Sequence, residues 1–230
     1  MENFIYSIPT KIAFGKGQVE RLPAMVREFG KKVLLVYGGG SIKRTGIYGT
    51  VTELLKENGI EYEELSGVEP NPRLSTVKRG VALCQQTQVD VILPIGGGST
   101  IDCAKAIAAG TCYDGDPWDL VLDNDKIKEA LPIIAILTLS ATGSEMDTFA
   151  VITNDETQDK MDLDSPVLFP KYSVLDPTYT FSVPAYQTAS GTADIMSHVF
   201  EVYLNGNKPL QVQNCLLYTS PSPRDSTSSR

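Results

Sequence analysis

Histidine occurs once in this 230-residue chain, at His198. Cysteine occurs four times, at Cys84, Cys103, Cys112 and Cys215, and never as a C-x-x-C pair. Scattered thiols without that spacing exclude a disulfide framework and read as the reduced cysteines of a cytoplasmic protein. Basic runs are missing too. Lys and Arg number 20 against 28 Asp and Glu, a formal net charge of −8. That sign repels a phosphate backbone and an anionic bilayer, so nucleic acid and membrane are not expected partners. No apolar run reaches the length of a membrane span. The start, MENFIYSIPTKIAFG, lacks the basic flank and long apolar stretch of a signal peptide.

Apolar residues make up 42% of the chain, with 19 Gly and 14 Pro. That composition supports a packed core broken by turns. FIYSIPTKIAFGKG alternates around Pro9 and reads as a short hairpin; GQVERLPAMVREFG then reads as a helix closed by Gly30. KKVLLVY is a continuous apolar run, the signature of a strand buried on both faces, and ends in GGGS at 38–41. A helix IYGTVTELLKENG, a strand IEYEELSG, and a helix from about Leu74 to Gln86 follow. VDVILPI is another buried strand, again ending in GGGS, at 96–99, before the helix TIDCAKAIAAG. Strands alternating with helices predict right-handed crossovers and a parallel sheet, hence an α/β fold. Past Pro132 come a strand IIAILTL, a polar loop SATGSE, strands in DTFAVITND and KYSVLDP, and a long helix from Pro184 to Gly206. The last residues, YTSPSPRDSTSSR, have the composition of disorder. A helix with an apolar face leading into such a tail predicts that residues 215–230 are non-native.

The run VILPIGGGSTIDCAKAI joins a strand, three glycines and a helix start. Bare backbone amides and the positive end of a helix suit a phosphate. Ser99 followed by Asp102 has the spacing of a capping box. Ile101 stands where a G-x-G-x-x-G fingerprint needs its third glycine, so a plain, well-capped turn is the alternative. The earlier GGGS has the same framing, and two phosphate-sized concavities fit a ligand with two phosphate regions. In LTLSATGSEMDT, the hydroxyls of Thr138, Ser140, Thr142 and Ser144 could line a cofactor or form an ordinary turn. Asp194 and His198 are four apart, one face of a helix. With 28 acidic residues in 230, an acid at i−3 or i−4 arises by chance about one time in four, so a structural histidine is the bland alternative.

Together, VYGGGSIK, PIGGGSTIDCAKAIA, LTLSATGSEM, VLDP and GTADIMSHVFEVY resemble, in order and spacing, the iron-containing (group III) alcohol dehydrogenases. The resemblance runs from about Ile5 to Asn214 and is nearest the NADPH-dependent butanol dehydrogenase and aldehyde reductase branch. It implies an N-terminal parallel-sheet dinucleotide-binding domain, residues 1–183, and an all-helical metal-binding domain of which 184–214 is only the first helix. It implies a divalent metal, iron or zinc, in the cleft between them. Gly96, Gly97, Gly98 and Ser99 would bind the pyrophosphate and Asp102 would lie near the nicotinamide. Thr138, Ser140, Thr142, Ser144 and Lys160 would line the cofactor. Asp194 and His198 would be the first two metal ligands, and two further family histidines would lie in sequence this chain lacks.

The activity so implied is hydride transfer between NADP(H) and a small alcohol or aldehyde, with the metal polarising the substrate oxygen. A homodimer is implied for the full-length parent, and inactivity for this fragment. NADP is expected over NAD because Gly38, Gly39, Gly40 and Ser41 leave an open loop where an acidic side chain would repel a 2′-phosphate, and Lys43 adds positive charge. Glu63 and Glu64 on the next strand are the competing feature and would serve NAD. Two other readings stay open: a dehydroquinate synthase-like lyase of the same fold, and a non-catalytic nucleotide-binding fragment.

Overall fold

The computed structural model describes residues 8–204. Expectations for residues 1–7 and 205–230, the non-native tail included, lie outside the described residues. Residues 8–182 form one compact unit, and residues 183–204 belong to a second.

In the first unit the chain runs β1 (Lys11–Phe14), α1 (Leu22–Arg27), β2 (Lys32–Tyr37), α2 (Ser41–Arg44), α3 (Ile47–Glu57), β3 (Glu61–Leu65), α4 (Leu74–Thr87) and β4 (Val91–Gly96). It continues through α5 (Gly98–Thr111), α6 (Pro117–Leu122), β5 (Ile134–Leu137), β6 (Phe149–Thr153), β7 (Lys160–Asp164) and β8 (Tyr172–Leu175). Six strands make one sheet in the order β1-β8-β5-β4-β2-β3, and every neighbouring pair is parallel. The second unit contains α7 (Ala185–Leu204). No helix among the described residues is long and apolar enough to cross a membrane.

Residue alternation splits β2 and β4 between two cores. Leu34, Val36 and Ile92 face Val77, Val81, Cys103 and Ile107 of α4 and α5. Val33, Leu35, Leu93 and Ile95 face Leu22, Val26, Val51 and Leu55 of α1 and α3. A strand covered on both sides needs apolar residues at every position, which is why these two strands read as unbroken runs.

The sheet order positions the site. From β2 the chain moves outward to β3, then crosses back over β2 to β4 and onward to β5 and β8. The winding reverses between β2 and β4, so the loops leaving their C-terminal ends diverge and open a crevice. Those two loops are the two GGGS segments.

Two expectations need correction, and two elements carry no sequence signal. The N-terminal segment is not a hairpin within the described residues: β1 pairs in parallel with β8, Lys11 opposite Tyr172. The first helix is split, a 3-10 turn at Gln18–Arg21 preceding α1, which carries Pro23 in its first turn. Finally, β7 and α6 were not legible in the sequence. β7 forms an antiparallel hairpin with β6 and buries only Leu163, too little to give a periodic signal.

Candidate functional site

The second glycine loop is tightly packed. β4 delivers the chain to Gly96, and α5 begins at Gly98. A Cβ on Gly96 would lie 2.5 Å from Thr100 Oγ1, and one on Gly97 would lie 3.2 Å from Leu139 Cβ. One on Gly98 would overlap the Thr142 side chain. The amides that open this 14-residue helix have no acceptor within it and carry the positive end of its dipole. Thr138 joins the loop through its N–H, which donates to the Gly96 carbonyl at 3.0 Å. Ser140 and Thr142 are exposed beside it.

Ser99 is not the N-cap. Gly97 holds that position in an extended conformation, with no side-chain cap, and Ser99 lies inside the first turn. Asp102 therefore closes no capping box. Its carboxylate accepts the Ser144 hydroxyl at 2.7 Å and the Val151 N–H at 3.1 Å. Burial pushes the Asp102 pKa up, against those two hydrogen bonds. Asp102 thus ties α5 to the 138–148 loop and to β6.

One turn further along the same helix is a residue that sequence reading missed. Lys105 is fully buried. Its ammonium donates to Asp147 Oδ1 at 2.6 Å and to the Phe149 carbonyl at 2.8 Å. Desolvation pulls its pKa down, against the attraction of Asp147. A single cation in the otherwise apolar stretch CAKAIAAG is the sequence signal for such a group. Nearby Glu145 is also buried, its carboxyl pushed up by desolvation, and its Oε2 has no hydrogen-bond partner. It lines a cavity of about 250 Å³ with Phe14, Leu137, Ser140, Leu175 and Asp176, at the C-terminal ends of β1, β5 and β8.

The first glycine loop is open. Added Cβ atoms on Gly39 and Gly40 would meet nothing within 4 Å, and Gly40 has φ +93°. The loop is pinned at its start, where the Gly38 carbonyl accepts the Gly67 N–H at 3.3 Å and the Tyr37 carbonyl accepts the Val68 N–H at 3.2 Å. Lys160 anchors to the segment beyond, donating to Asn71 Oδ1 at 2.7 Å. Ser41 is exposed. Lys43 is not a solitary cation. Its Nζ lies 4.5 Å from the centre of the Tyr48 ring, 5.2 Å from that of Tyr37, and 4.0 Å from Glu64 Oε2. Both tyrosine hydroxyls donate to the Glu64 carboxylate, Tyr48 at 2.7 Å.

Asp194 and His198 lie side by side on α7, Oδ1 3.7 Å from Nε2, both well exposed. Two donors do not make a catalytic metal site, which needs about three protein ligands. Among the described residues no cluster of three or more His, Cys, Asp or Glu could hold a metal. Nor is there a poised thiol in the core: burial pushes Cys84 up to about 11 and Cys103 up to about 12.

A family model described as iron-containing alcohol dehydrogenase matches residues 9–177. The chain is 59% identical over 214 residues to NADH-dependent butanol dehydrogenase A of Clostridium acetobutylicum, covering 93% of this chain and 55% of the relative. It is 39% identical over 217 residues to the NADPH-dependent aldehyde reductase YqhD of Escherichia coli, covering 93% and 55%. Among solved structures, an NADH-dependent butanol dehydrogenase A from Thermotoga maritima superposes with a TM-score of 0.90 at 44% identity, covering 94% of this chain and 55% of that one. The chain spans about half the length of the curated relatives it matches.

Proposed function

Since the chain belongs to the iron-containing alcohol dehydrogenase family, we propose that the whole protein is a metal-dependent NADP(H) alcohol dehydrogenase and aldehyde reductase. The observation that carries this reading is the reversal of the sheet between β2 and β4, with one glycine loop at the C-terminal end of each strand, the first open around Gly39 and Gly40 and the second opening the long helix α5. Space around Gly39 and Gly40 admits a phosphate or ribose against the backbone, and Gly97, Gly98 and Ser99 bring the first amides of α5 to a second phosphate. Thr138, Ser140, Thr142 and Ser144 flank that helix end, and Asp102 holds Ser144 in position. The cavity beside Ser140 and Glu145 suits the flat, mostly apolar nicotinamide ring. A bound nicotinamide supplies or takes the hydride at a small aldehyde or alcohol.

Asp194 and His198 are donors of the right type for iron or zinc. Two donors alone do not retain the metal, so this chain by itself is inactive. Elemental analysis after dialysis is expected to find substoichiometric iron and zinc; near-stoichiometric metal that is lost on His198→Ala overturns this.

NADP(H) is favoured over NAD(H) by the absence of an acid at Gly38 and by Lys43, which follows that loop in α2. NAD(H) is the second reading, supported by Glu64 at the end of β3 and by relatives of 55–59% identity that are named NADH-dependent. Titration of the chain with NADPH and NADH separates them. Gly38→Asp is expected to weaken NADPH by about tenfold, through like-charge repulsion, while sparing NADH. Equal affinities in the unmutated chain contradict the NADP(H) assignment.

A further inference from the structure

The cluster around Lys43 joins three segments at one corner of the crevice. Tyr37 is the last residue of β2, Glu64 lies near the end of β3, and Tyr48 is in the first turn of α3. The two tyrosine rings meet edge to face, 5.9 Å between centres at 63°. Their hydroxyls engage both oxygens of Glu64, and the Lys43 ammonium lies over the rings and against one of those oxygens. An ammonium over two aromatic faces is attracted by both quadrupoles, and the nearby carboxylate adds a charge partner. Burial pushes the Glu64 carboxyl up, but the hydrogen bonds from Tyr37 and Tyr48 and the charge of Lys43 outweigh it and hold it below the usual range. Glu64 is therefore a carboxylate at neutral pH.

In a parallel dinucleotide-binding sheet, the end of the strand next to the first glycine loop is where the adenosine ribose is read. We propose that Glu64 is a specificity-determining residue of the cofactor site, which holds Lys43 in the Tyr37/Tyr48 cage and thereby restrains the preference for a 2′-phosphate. This rests on the reading of the crevice as a dinucleotide site. With Glu64 in place, Lys43 already has a carboxylate 4.0 Å away, and that carboxylate opposes the approach of a phosphate dianion. The same carboxylate accepts a hydrogen bond from a free 2′-hydroxyl. Glu64 thus lowers the gain from a phosphate and raises the gain from a hydroxyl. The two opposing features, a lysine and a glutamate, are one device rather than rival signals.

The test is binding of NADPH and NADH to the full chain, with Glu64→Gln and Lys43→Met. Glu64→Gln keeps the shape and removes the charge. It is expected to raise the NADPH-to-NADH affinity ratio at least about fivefold, by freeing Lys43 and removing the repulsion. Lys43→Met is expected to lower that ratio by a similar factor, and Glu64→Ala, which also removes the charge, takes the place of the glutamine variant if that one does not fold. A ratio unchanged within about twofold in the folded variant, with both cofactors still bound, overturns the role of Glu64 and leaves the dinucleotide site standing. Failure of the unmutated chain to bind either cofactor overturns the site itself, and the proposal with it.

Discussion

The two GGGS segments have identical letters and opposite physical characters. At 96–99 the glycines are demanded by their neighbours: Thr100, Leu139 and Thr142 fill the space where a Cβ would go. At 38–41 the space around Gly39 and Gly40 is empty, and Gly40 is required by its φ of +93° instead. The first loop leads into a helix of 4 residues, the second into one of 14. One is a rigid seat built into the core and bolted by Lys105 and Asp147. The other is an exposed lip followed by Lys43, whose ammonium lies 4.0 Å from the Glu64 carboxylate. A rigid seat suits the part common to all dinucleotides, and an open lip suits the part that differs between them.

That contrast orders the effects of substitution. Asp147→Ala leaves the buried Lys105 ammonium without its partner and is expected to cost about 3 kcal/mol of stability in urea unfolding. Lys105→Met leaves Asp147 behind, whose side chain is 37% exposed and can be solvated, so its loss should be less than half as large. If the two variants lose the same amount, Lys105 is not the member that needs the pair. Gly98→Val forces a side chain into Thr142 and is expected to cost about 1–3 kcal/mol while abolishing cofactor binding. Gly40→Ala puts a Cβ on a left-handed residue, for about 1–2 kcal/mol. At Gly39→Ala, where nothing lies within 4 Å, stability should move by less than about 0.5 kcal/mol. A Gly39→Ala loss equal to that of Gly98→Val would erase the distinction between seat and lip.

Much of the seat was legible in the sequence because it is a backbone statement. Three glycines between an unbroken apolar run and a helix call for backbone freedom, either for a close approach or for a positive φ; which of the two applies is set by the neighbours, crowded at 96–98 and absent at 39–40. The strand order was legible only as a parallel sheet; that the winding reverses between β2 and β4 emerges from pairing across the chain. The capping-box spacing of Ser99 and Asp102 presupposes a helix that starts at Thr100, two residues later than it does. Gly97 is extended and starts the helix at Gly98, which frees Asp102 for Ser144 and Val151. Lys105 and Asp147 are 42 residues apart, and nothing local predicts their contact. In the sequence Glu64 and Lys43 are opposing features, since nothing local shows that Tyr37 and Tyr48 bring them together.

The central claim is that a dinucleotide occupies the crevice between β2 and β4, gripped by both glycine loops. Hydrogen exchange of the chain with and without saturating NADPH measures this directly, amide by amide. The expected result is slowed exchange confined to about residues 38–42 and 96–101, with the smaller change in the first segment when NADH replaces NADPH. Saturable binding that leaves both segments unprotected, or protects only one end of the sheet away from them, contradicts the account.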